Sequence, residues 1–131
     1  YLREAAEVLD LLNQEYGVKH LDIKPRNIFL VGKHIKVADF GLAASLAELN
    51  GPGGRRGGLT PLYAAPETFK GQVTLYSDQY SLAVTYVELL TGSPPFTARN
   101  LNQLMMQVCG QPPDLRGLPP EDRVVVGRAL S

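Results

Sequence analysis

The sequence predicts a mostly helical body with one small β-hairpin set beside a polar loop. Three observations carry this. Apolar residues recur three and four apart over several stretches; two short apolar runs flank Gly32-Lys33; and a dense polar cluster, HLDIKPRN (20 to 27), precedes the first run. A period near 3.6 argues amphipathic helix, and short apolar runs joined by a tight turn argue a hairpin.

Leu2, Ala5, Ala6, Val8, Leu9 and Leu12 predict a helix over residues 1 to 15, stopped by Gly17. IFLV (28 to 31) and HIKVA (34 to 38) form the expected hairpin, with His34 in its turn and exposed. Residues 42 to 62 follow, and their centre, NGPGGRRGG, carries too much glycine and proline for regular structure. Ser77-Asp78 is expected to cap an apolar helix, YSLAVTYVELLTG, ended by Gly92 and Pro94-Pro95. Apolar residues lie almost all round it, so it should be a buried central helix. ARNLNQLMMQVCG (98 to 110) and PEDRVVVGRAL (120 to 130) predict two more helices, joined by a Pro-rich linker. Cys109 falls in the apolar pattern of the first and is expected in the core.

The 131 residues suffice for one small domain, and 44% hydrophobic with 20% charged residues is ordinary for a globular chain. Thirteen basic and thirteen acidic residues cancel, so no nucleic-acid or anionic-membrane partner is expected. A single cysteine excludes an internal disulfide and fits a reducing, cytoplasmic setting. No apolar run approaches the roughly 20 residues of a membrane span, so no membrane contact is expected of this segment. The chain opens at Tyr1 inside a helical pattern and stops at Ser131 beside another, as a piece of a longer protein would.

Asp22, Lys24 and Asn27 lie within six positions, and Asp39-Phe40-Gly41 follows at the end of the second hairpin strand. A carboxylate such as Asp22 can orient a hydroxyl and accept its proton. A lysine two residues on can place a compact positive charge on a phosphate. Asn27 and Asp39 offer hard oxygen ligands of the kind magnesium takes, and the hairpin brings them out at one edge. Any one of these clusters alone reads equally well as a turn. Their joint order, followed by LTPLYAAPE (59 to 67) and Asp78 opening the apolar helix, is specific.

This order resembles the C-terminal lobe of a eukaryotic-type serine/threonine protein kinase, along essentially the whole chain. The resemblance implies an α+β parent fold, of which residues 1 to 131 would be the mainly α-helical lobe with a small hairpin beside the catalytic loop. It implies transfer of the ATP γ-phosphate to a serine or threonine of a protein substrate, with ATP and magnesium, or manganese, as cofactors. Asp22 would be the catalytic base and Lys24 the phosphate contact. Asn27 and Asp39 would be metal ligands, and Thr60 would brace Asp22 and Lys24. Phe29 would floor the adenine pocket, although by pattern it reads equally as hairpin core, and Thr60 beside Pro61 has a second reading as a turn residue. His20, Phe40, Gly41, Glu67 and Asp78 would give structural support: His20 packing behind Phe40, Asp78 holding the catalytic-loop backbone, and Glu67 pairing with an arginine. Neither Arg123 nor Arg128 fits that arginine's place.

The glycine-rich run 51 to 58 opens no helix, so it fails as a phosphate-binding loop and reads as an activation segment. Arg55 and Arg56 in it read as solvated, with attraction of an acidic peptide as the alternative. Three positions depart from the family pattern. Leu21 replaces the arginine that commonly receives an activation-loop phosphate; the hydroxyls between Gly41 and Ala65 are only Ser45, Thr60 and Tyr63; and Leu59 replaces a glycine. The first two predict activity that does not depend on activation-loop phosphorylation. The chain shows no glycine-rich nucleotide loop and no strand lysine with its partner glutamate, so the amino-terminal lobe of the same protein is an expected partner. The isolated segment should have little transfer activity. Compact loops resemble bacterial members of the family, whose kinase domain is often tethered by a membrane segment outside it. The alternative class is a pseudokinase, a binding module that keeps the fold without transfer.

Overall fold

The computed structural model describes residues 1–40, the strand at 44–45 and residues 60–131. Helix α1 (Leu2–Tyr16) ends where Gly17 takes φ 62°, a left-handed value that glycine adopts without strain, and its N–H closes on Asn13 O at 3.1 Å. Ala5 and Leu9 form the buried stripe of α1; Val8 and Leu11 stand outside it, 39% and 55% exposed.

Strand β1 (Val18–Lys19) leads into the polar cluster, and β2 (Ile28–Val31) and β3 (His34–Val37) form the expected antiparallel hairpin. Its register runs from Ile28↔Val37 to Val31↔His34, so Gly32-Lys33 is a two-residue turn, with Gly32 at φ 64°. His34 begins β3 rather than lying in the turn, and its side chain is exposed, 3.7 Å from Glu4. A second two-stranded pairing, β1 with β4 (Ala44–Ser45), has no strong signal in the sequence, because two residues give no usable alternation.

Helix α2 (Ser77–Thr91) is the central element. Tyr80, Ala83, Val84 and Val87 on it pack with Ala65, Leu118, Val126 and Leu130 into one core. Fully burying side chains such as Val84 and Val87 contributes about 1.5–3 kcal/mol each. The helix is less uniformly buried than its composition suggests, since Leu89 and Leu90 are half exposed. The expected Ser77-Asp78 cap is not formed. Tyr76 is the N-cap, with no side-chain cap bond. Ser77 Oγ instead accepts from Thr74 N–H, and the Asp78 carboxylate turns to the polar loop.

Helix α3 (Leu101–Gly110) is capped by Asn100, whose side chain accepts from Gln103 N–H at 2.9 Å. Cys109 on α3 is exposed rather than in the core; the buried side of this short helix is carried by Leu104. Helix α4 (Pro120–Ala129) starts with proline in its first turn and is tied to α2 by Tyr86 OH donating to Asp122 Oδ2 at 2.6 Å. Among the described residues no helix is long and apolar enough to cross a membrane.

Candidate active site

The polar cluster is shaped by Pro25. The residue before a proline is kept out of the helical region, and Lys24 is extended at φ −160°. Pro25 then opens a single 3₁₀ turn, Pro25–Asn27, closed by Asn27 N–H donating to Lys24 O at 3.0 Å. The turn folds Asn27 back onto Asp22. Its Nδ2 donates to Asp22 O at 2.7 Å and to Asp22 Oδ2 at 3.2 Å.

Asp22 is nearly buried, 8% exposed, and both carboxylate oxygens are held. Thr60 Oγ1 donates to Oδ1 at 3.0 Å, and Lys24 Nζ lies 3.3 Å from Oδ2. Lys24 Nζ also donates to Thr60 Oγ1 at 3.0 Å, which closes a ring of three side chains from two segments. Asp22 thus faces a compact cation and fixed donors, the environment in which a carboxylate keeps its orientation.

Behind this ring, Asp78 holds the loop backbone. Its Oδ2 accepts from His20 N–H at 2.7 Å and its Oδ1 from Leu21 N–H at 2.8 Å. Leu21 takes φ 68°, a conformation costing roughly 1–2 kcal/mol for a residue with a Cβ. His20 Nδ1 accepts from Asp22 N–H at 3.1 Å, so the ring proton is on Nε2, which donates to Ala38 O at 2.8 Å. Phe40 meets the His20 ring edge-on, centroids 4.6 Å apart. His20 therefore spans from the backbone of Asp22 to the end of β3.

The hairpin register puts Ala38 opposite Asn27, with Ala38 N–H donating to Asn27 O at 2.8 Å, and Asp39 follows at φ 60°. Aspartate tolerates this left-handed value better than most residues. The donor set fits magnesium. Asn27 commits its NH₂ to Asp22, so its amide oxygen remains for a cation, and Asp39 adds carboxylate oxygen. Among the described residues no group of three or more His, Cys, Asp or Glu gathers to hold a metal. A cation here would draw on few protein ligands, the sparse coordination magnesium accepts.

Other expected residues fall as follows. Phe29 is 49% exposed, which removes its reading as hairpin core. Glu67 Oε1 accepts from Ser77 Oγ at 2.8 Å and Thr74 Oγ1 at 3.0 Å, hydroxyl partners in place of an arginine. Gly41, Leu59 and the run 51 to 58 with Arg55 and Arg56 lie outside the described residues. Two pairings were not legible beforehand. Tyr63 OH donates to Glu88 Oε2 at 2.6 Å, across 25 residues of sequence. Lys19, 2% exposed, donates from Nζ to Leu75 O at 2.7 Å, and burial pushes its ammonium below the usual value against the pull of Asp78 and Asp10.

Residues 1–122 match the protein kinase domain family. The chain belongs to that family. Its relatives include serine/threonine-protein kinase RUNKEL of Arabidopsis thaliana, 40% identical over 107 residues, 77% of this chain and 8% of that protein. The probable serine/threonine-protein kinase pknA2 of Bifidobacterium longum is 43% identical over 105 residues, 76% of this chain and 14% of that protein. Serine/threonine-protein kinase PknD of Mycobacterium tuberculosis is 34% identical over 141 residues, 99% of this chain and 21% of that protein. The kinase chain described here thus spans less than a quarter of each of these proteins.

Proposed function

We propose that the protein carrying this chain is a serine/threonine protein kinase, and that residues 1 to 131 belong to the C-terminal lobe of its kinase domain. The closed ring of Asp22, Thr60 and Lys24, with Asn27 locked to Asp22, is the observation that carries this reading. Asp22 orients the acceptor hydroxyl and takes its proton as the oxygen attacks the γ-phosphorus and ADP leaves. Lys24 places positive charge beside the transferring phosphoryl group, and Thr60, bonded to both side chains, fixes their mutual geometry. Asn27 and Asp39 would hold magnesium, which neutralises phosphate charge when bound. Phe29 offers a half-exposed aromatic face to floor the adenine pocket. The rest of the nucleotide site is assigned to the amino-terminal lobe of the same protein. A cytoplasmic setting, which keeps thiols reduced, suits the free, exposed Cys109.

The same reading includes activity without a phosphate on residues 41 to 65. Leu21 carries no charge to receive one, and the hydroxyls of Thr60 and Tyr63 are engaged with Asp22 and Glu88. Phosphatase treatment should leave turnover intact; a large loss would remove this part of the reading.

The test of the whole is Asp22→Asn in the full-length protein, assayed on serine, threonine and tyrosine peptides. Turnover on serine or threonine peptides should fall by about 10²–10⁴-fold with nucleotide affinity nearly unchanged. Retained turnover, or loss of ATP binding instead, overturns the role of Asp22. Transfer confined to tyrosine overturns the substrate class.

A further inference from the structure

Leu21 is doing more than separating His20 from Asp22. Leu21 is 9% exposed, and it lines a small, partly open cleft of about 10 Å³ with Ala64, Ala65, Thr68, Ser77, Asp78 and Ser81. That is near the least space a single water needs, so Leu21 faces Ala64 and Ala65 with little room between them. Its backbone is held at φ 68° by Asp78 Oδ1. The segment it packs against is itself pinned to α2: Ser81 Oγ donates to Tyr63 O at 2.7 Å, and Tyr63 OH donates to Glu88. The stretch from Thr60 to Ala65 therefore meets the polar loop twice, once through Thr60 on the Asp22 carboxylate and once through the apolar side chain preceding Asp22.

We propose that Leu21 is a positioning residue, whose packing against Ala64 and Ala65 fixes where the Asp22 backbone lies relative to Thr60. The inference rests on the kinase reading above. Thr60 sets the rotation of the carboxylate; Leu21 sets the place from which that carboxylate starts. Each contact alone leaves one freedom open. A leucine in a left-handed backbone is tolerable here because its apolar contact and the Asp78 hydrogen bond act together against the strain.

The experiment compares Leu21→Gly, Leu21→Ala and Leu21→Met with the parent and with Asp22→Asn, all in the full-length protein. Glycine accepts φ 68° without strain, so Leu21→Gly removes the side chain while easing the backbone. Methionine nearly conserves volume and is unbranched at Cβ. In the folded glycine and alanine variants kcat should drop about tenfold or more while KM for ATP stays within about twofold; methionine should restore kcat. Folded glycine and alanine variants with parental kcat overturn the proposal, because a residue serving only stability changes the melting temperature and not turnover. Should those two fail to fold, Leu21→Cys beside Leu21→Met gives a milder shortening read in the same way. A parent without Asp22-dependent transfer instead brings down the kinase reading beneath it, which the Asp22→Asn arm reports separately.

Discussion

Thr60 Oγ1 donates to Asp22 Oδ1 at 3.0 Å, joining residues 38 apart in sequence, while accepting from Lys24 Nζ at the same distance. One hydroxyl thus orders an anion and a cation at once. Thr60→Ala removes both bonds and leaves the carboxylate held through Oδ2 alone, whereas Thr60→Ser keeps the hydroxyl. Hydrogen bonds to charged groups contribute about 1.5–3 kcal/mol, so kcat should fall roughly ten- to a hundredfold in the alanine variant. Steady-state kinetics on a serine peptide checks this. A serine variant as impaired as the alanine would mean that the methyl group, not the hydroxyl, matters.

Asp78 is the support on which the loop hangs. Its carboxylate takes the N–H groups of His20, fully buried, and Leu21, nearly so. Asp78→Ala orphans both donors, at about 1–3 kcal/mol each, and releases the left-handed turn at Leu21. Denaturant unfolding should show a loss of about 3 kcal/mol or more, and Asp78→Asn, with one acceptor kept, should fall between. A loss below about 1 kcal/mol would show that other groups take over the two donors.

Two tyrosines shape the alkaline limit of stability. Burial, then the bond to Glu88, raises the Tyr63 hydroxyl above its ordinary 10.0; burial, then Glu67 and Cys109, raises Tyr80. The folded chain keeps protons that the unfolded chain loses above pH 10, so stability is full below that pH and declines as pH climbs beyond it. Tyr80 OH has no hydrogen-bond partner among the described residues. Deleting an unpaired buried hydroxyl is neutral to favourable, so Tyr80→Phe should change neutral-pH stability by about 0 to +1 kcal/mol and move alkaline unfolding to higher pH. Thermal melts from pH 7 to 11 test it; a loss above about 1 kcal/mol at pH 7 would reveal a partner for that hydroxyl.

Much of the site was legible because its signals are local. Pro25 dictates the extended Lys24 and the turn that returns Asn27 to Asp22, and Gly32-Lys33 dictates the hairpin that carries Asp39 to the same edge. What local pattern does not carry is long-range and side-chain specific. By pattern alone Asp78 looks like a helix cap, since aspartate before an apolar run usually is one, and only the family resemblance points it at the loop backbone. Two backbone donors 57 and 58 residues away compete for it and win. Cys109 shares an apolar pattern with Val108, yet a ten-residue helix on the surface buries only a narrow stripe. Leu21 reads as the place of a missing arginine, and nothing in the chain signals its left-handed backbone or its cleft beside Ala64 and Ala65.

Asn27 joins the two halves of the proposed chemistry, and its substitution separates them. Its NH₂ fixes Asp22 through two hydrogen bonds, and its amide oxygen is the atom proposed for magnesium. Asn27→Ala should therefore lower kcat by loosening Asp22 and also raise the magnesium concentration needed for half-maximal rate. Losing even an outer partner of a metal ligand typically weakens metal affinity by about 10–100-fold, so losing a ligand should shift the midpoint at least that far; a magnesium titration at saturating ATP reads that shift apart from the fall in maximal rate. Asp39→Ala, which leaves the Asp22 hydrogen bonds in place, should show the magnesium shift with the smaller change in Asp22 geometry. If Asn27→Ala lowers the maximal rate without moving the magnesium midpoint, Asn27 serves Asp22 alone and the metal is held elsewhere.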